Sequence, residues 1–135
     1  MTRRNSSLGF FGLFGRSDDL RRLDRALRAV DLHPVLVPEG VKLTIVNLMK
    51  DHWPEEEPPA AAYPTVAELF GYCVSGPDAF SRVNGPGRSA AAAARVETAL
   101  DRPRSLDAQL ILLALHARLA NPETVERHGL SAEEE

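Results

Sequence analysis

Apolar residues along this chain come in short bursts with helical spacing, separated by proline, glycine and charge. Leu20, Leu23, Leu27 and Val30 recur at i, i+3, i+7 and i+10, one stripe of an α-helix. Ser17 stands before them as an N-cap, and Asp18 and Asp19 suit the positive end of the helix dipole. Asp18–Arg22 and Asp24–Arg28 are i,i+4 pairs in the favourable order. The spacing predicts a helix over residues 17–30, and Pro34 excludes helical geometry at His33. A second helix is predicted over 38–53, with Val41, Ile45, Leu48, Met49 and His52 on one face. Residues 41–46 alternate in part and carry β-branched side chains, as a strand would. The continuation through Asn47, Leu48, Met49 and Lys50 favours helix.

The acidic, proline-rich stretch 54–62 (PEEEPPAAA) reads as an exposed loop. Thr65 and Glu68 have the T-x-x-E spacing of a capping box, just ahead of Val66, Leu69, Phe70 and Cys73. This third helix ends at Gly76 and Pro77. A short helix over 77–83 is closed by Asn84-Gly85-Pro86-Gly87, and alanines open a fourth over 89–100. The fifth, over 105–120, is capped by Ser105. It carries Leu106, Leu110, Ile111, Leu112, Leu113, Leu115 and Leu119 on every side, the pattern of a buried, central helix. A brief last helix takes Asn121 as cap, Pro122 as first residue and Gly129 as stop. The fold class that follows is all-α: a single-domain, irregular array of five to six short helices around the central one at about 105–120. It divides into a leader (1–16), a helical domain (17–130) and an acidic tail (131–135).

Composition narrows the picture. A chain of 135 residues is one domain and buries roughly two thirds of its unfolded surface without a staple. Its one cysteine, Cys73, excludes an internal disulfide and a cysteine-rich zinc site, and fits a reducing, cytoplasmic compartment. No apolar run approaches the ~18 residues of a membrane span. The net charge of −3 does not point to nucleic acid, although residues 1–30 hold seven Arg against three Asp.

Candidate chemistry is sparse. The phosphate-loop, nucleophile-elbow, C-x-x-C and H-E-x-x-H patterns are absent, as is the E-x-x-H pair of di-iron bundles. Gly12, Gly15, Arg16 and Ser17 precede a helix start, where free N–H groups hold anions, but without a preceding strand or a lysine. Arg3-Arg4 before an apolar patch is a faint form of a twin-arginine export signal. The patch is short, rich in glycine and without a cleavage site. A helix-turn-helix over 66–83 would carry only Arg82 as a base on its second helix.

Two constellations remain. Phe10, Phe11, Leu13 and Phe14 form an aromatic leader that either docks on a partner or fills the domain's own core. Beside it, Arg21, Arg25 and Arg28 lie within about 60° of one another on the first helix. Separately, His52, Cys73 and His116 sit on the apolar faces of three helices. Brought together, they would make a metal site or a nucleophile and base. Taken alone, each is a core histidine or a buried thiol. The sequence thus favours a non-enzymatic cytoplasmic interaction or regulatory module, binding a protein partner or itself through the leader and first helix. The alternative is a helical protein, an enzyme in one version, that binds a small ligand or metal at His52, Cys73 and His116. No cofactor is implied and no catalytic residue is assigned.

Overall fold

Capping side chains set the starts of three helices in the structure, a computed structural model that describes residues 17–131. Ser17 Oγ accepts from Leu20 N at the head of α1, Asp18–Ala29. Ser105 Oγ accepts from Ala108 N at the head of α6, Leu106–His116. Asn121 Oδ1 accepts from Glu123 N at the head of α7, Pro122–His128. Between them lie a single 3-10 turn, Pro34–Leu36, and four helices: α2 Glu39–His52, α3 Ala62–Ser75, α4 Pro77–Asn84 and α5 Pro86–Leu100. The all-α class holds, with seven helices among the described residues, and the partly alternating run 41–46 is helical throughout.

Several boundaries differ from the expected ones for physical reasons. The third helix starts at Ala62, so Thr65 is no cap. Its hydroxyl donates back to Ala61 O at 3.0 Å, and Glu68 pairs with Arg88 at 2.7 Å. Pro64 causes no break because it falls in the first turn, where the backbone N–H groups have no intrahelical partner. Gly76 and Gly85 each end one helix and cap the next, at φ 94° and 98°. The proline after each supplies a first-turn residue, so α3, α4 and α5 follow one another with single-residue joints. The fifth predicted helix stops at His116, four residues early. Leu119 N donates to Ala114 O (2.9 Å) and Arg118 N to Leu115 O (3.1 Å), with Arg118 at φ 62°. That is a Schellman closure without glycine. Asp31, at φ 66°, closes α1 in the same way.

The centre of the array also differs from the expected one. The most buried helix is α3, where Ala62, Tyr63, Val66, Ala67, Leu69, Phe70, Gly71, Tyr72 and Cys73 are all buried. It packs against α1, α4, α5, α6 and α7. In α6 only Ala108, Leu110, Ile111 and Ala114 are buried. Side-chain links tie the array together. Asp19 accepts from Tyr63 OH (2.9 Å) and pairs with Lys50 (3.0 Å), joining α1, α2 and α3. Buried Lys42 reaches Asp24 at 3.2 Å. Arg95 grips Asp107 with two bonds (2.8 and 3.1 Å) and donates to Thr65 O (2.9 Å), joining α5, α6 and α3.

Candidate functional site

The apolar residues that α6 does not turn towards α3 have a consequence at the surface. Ala108, Ile111, Leu112 and Leu115 recur at i, i+3, i+4 and i+7, one helical face. Together with Ala99 and Leu100 from the end of α5, Pro103 from the following loop, and Leu130 and Ser131, they line a groove of about 310 Å³. Leu100 is 49% exposed at its edge. The Arg95–Asp107 clamp fixes the start of α6 against α5.

The rim is basic. Arg102 and Arg104 flank Pro103, both exposed, and neither makes an ion pair among the described residues. Arg118 stands just beyond the far end of α6. Asp101 is the acidic member of the loop. An apolar floor with charge only at its edge binds greasy side chains and orients them by an opposite charge.

A second arrangement runs from an exposed carboxylate into the core. His128 Nδ1 lies 2.5 Å from Glu97 Oε2, and its Nε2 lies 2.8 Å from Tyr72 OH. This is a carboxylate–imidazole–phenol row. Its phenol end is closed, because Tyr72 has no exposed surface and packs edge-on against Phe80. Burial pushes the Tyr72 phenol up, with nearby Arg127 opposing. The row therefore locks α7 onto α3 and α5. A second cavity of about 360 Å³ lies among Asp19, Lys50, Trp53 and the acidic loop that follows α2. Burial alone would raise the Asp19 carboxyl. The hydrogen bonds from Lys50 and Tyr63, with the charges of Lys50 and Arg22, outweigh it and hold the pKa below the ordinary value.

The sequence-predicted residues are scattered relative to these features. Phe10, Phe11 and Phe14 lie outside the described residues. Arg21, Arg25 and Arg28 form an exposed face of α1, where Arg21 pairs with Asp18 at 2.9 Å. His52 is exposed at the end of α2, with Nε2 2.9 Å from Gln109 Oε1. His116 is exposed at the last turn of α6, about 10 Å along the helix from Gln109 by helical rise. Cys73 is 1% exposed within α3. Burial pushes its thiol up to about 12, with Asp107 adding to the effect and Arg95 opposing it. Among the described residues no three His, Cys, Asp or Glu side chains stand where they could hold a metal together. The groove residues Leu100, Pro103, Leu112 and Leu115 carry no mark of a site in the sequence. Their one signal is the all-round apolarity of α6, which by itself reads as burial. Compared with protein-family models, curated proteins and solved structures, the chain matches none.

Proposed function

We propose that this protein is a non-enzymatic, cytoplasmic interaction module. Its docking surface is the groove of α5 and α6, and its partner presents a short amphipathic segment with apolar anchors and acidic flanks. One observation carries the reading: an apolar groove of about 310 Å³ includes Pro103, whose exposed sequence neighbours Arg102 and Arg104 make no ion pair among the described residues. A volume of this size suits one or two large side chains. Each buried Leu or Phe anchor contributes about 1.5–3 kcal/mol before ordering costs. Arg102, Arg104 and Arg118 would set the orientation of an acidic segment and speed its arrival. The lone buried thiol supports a reducing compartment.

The test is selection from a random displayed peptide library on the full chain. The expected enrichment is two apolar residues at helical spacing beside Asp or Glu. Leu112→Asp, at a half-buried position, should abolish binding of the selected peptides while far-UV circular dichroism is unchanged. Arg102→Gln with Arg104→Gln should weaken binding and reduce its salt dependence. Selected peptides that bind the Leu112→Asp chain equally well would refute the groove as the surface.

A further inference from the structure

We infer that the groove's partner is a second copy of this chain, whose exposed Val35–Leu36 turn seats between α5 and α6. The inference rests on the groove being a docking surface, and it adds the identity of the docked segment.

The turn is built as a knob. Val35 is 77% exposed and Leu36 61%, more than any other large apolar side chain among the described residues. Their neighbours on both sides, Pro34 and Val37, are buried and root the turn in the core. His33 Nδ1 accepts from Val35 N (3.1 Å), His33 O from Leu36 N (2.9 Å), and Pro34 O from Val37 N (3.0 Å). The knob is therefore held in shape before any contact, which cuts the ordering cost of docking. Two adjacent apolar side chains presented to water on a fixed turn mark a contact surface.

Knob and groove match in chemistry. The groove's volume suits one or two large side chains, and the knob offers Val35 and Leu36. Acidic residues flank the knob in sequence, Asp31 before it and Glu39 after it, and both are exposed. Glu39 keeps its exposure although it lies 3.6 Å from Lys42. The groove offers the opposite sign, since Arg102 and Arg104 stand on either side of Pro103. Apolar anchors with acidic flanks thus face an apolar floor with basic flanks.

Exposure decides between one molecule and two. The knob packs on α1, whereas α5, α6 and Leu130–Ser131 make the groove. Val35 and Leu36 remain open to solvent, so they do not fill the groove of their own chain. A second molecule brings the two surfaces together, one copy supplying the knob and the other the groove. Two side chains in one groove are a small interface, so association is reversible, with a dissociation constant of about 100 µM.

Sedimentation velocity of the full chain, over about a hundredfold in concentration around that value, tests the inference. The mean mass should rise with concentration. Leu36→Asp, which spoils the knob, and Leu112→Asp, which spoils the groove, should each weaken association at least about tenfold. Mixed one to one, the two variants should pair again, because one keeps its groove and the other its knob. Far-UV circular dichroism checks that each variant is folded. In the unaltered chain, nuclear Overhauser contacts between differently labelled copies should join the Val35 and Leu36 methyls to those of Leu112 and Leu115, and this measurement needs no variant. A chain that stays monomeric throughout, while library-selected peptides still bind its groove, would overturn the inference and leave the docking reading standing. Association untouched by either substitution, or variants that do not pair on mixing, would overturn it too, since the copies then meet elsewhere. Peptide binding and self-association that both ignore Leu112→Asp would overturn both readings.

Discussion

Replacing Gly71 with alanine probes how closely α1 and α3 cross. Gly71 is buried in the middle of α3, and a Cβ built there would lie 2.9 Å from Val30 Cγ2 and 3.6 Å from Phe80 Cε1. Helix propensity alone favours the alanine by about 1 kcal/mol. The contact opposes it. Val30 Cβ is also within 3.7 Å of the new methyl, so turning the β-branched side chain gives little relief and the end of α1 must move. Overpacking of this kind costs about 1–3 kcal/mol, so after the propensity gain the net loss is about 0–2 kcal/mol. Val30→Ala alone removes two methyl carbons and costs about 1.5–3 kcal/mol. In that background the Gly71 methyl fills vacated space, and the substitution should stabilise by about 1 kcal/mol through propensity. The two changes are therefore coupled by about 1–3 kcal/mol. Urea unfolding of the four chains, followed by far-UV circular dichroism at constant slope, measures this. A Gly71→Ala effect of equal size in both backgrounds would refute the close crossing.

Two further outcomes follow from the buried groups. Cys73, with its thiol pushed up to about 12 and enclosed in α3, should resist iodoacetamide in the native protein and react fully in denaturant; rapid modification under native conditions would show that the thiol is reachable. Asp19 has a lowered pKa, so its contribution to stability is present above the unfolded value near ~3.9 and is lost as pH falls through the folded value. Asp19→Asn should thus lower the urea midpoint at neutral pH and converge on the parent in strong acid, whereas a constant difference at every pH would contradict the assignment.

Much of the helix layout is legible from local signals along the chain. Ser17, Ser105 and Asn121 are polar side chains placed where the next turn offers free amides, and each makes the expected cap. The joints at Gly76-Pro77 and Gly85-Pro86 are visible as breaks. Their brevity is not, because one glycine at positive φ can close a helix and open the next. The early end of α6 is hidden for the opposite reason. Arg118 adopts the left-handed conformation that glycine normally supplies, and nothing in its chemistry announces it. The leucines that follow such closures, Leu32 after Asp31 and Leu119 after Arg118, are the weak signal that remains.

The exchange of roles between α3 and α6 has a deeper cause, and the candidate site arises from it. By apolarity alone, α6 outranks α3, whose buried set includes two tyrosines, a glycine and a cysteine. Those tyrosines can be buried only because their hydroxyls find partners far along the chain. Tyr63 bonds Asp19, and Tyr72 bonds His128. Sequence spacing does not carry that information, so α3 reads as less buried than it is. The converse holds for α6. Its apolar residues exceed what α2, α3 and α5 can cover, and the surplus at Leu112 and Leu115 joins Leu100 and Pro103 in an open groove. An outward apolar face costs solubility unless something occupies it. The same leucines that make α6 look central are thus the reason this molecule carries an open apolar groove between α5 and α6.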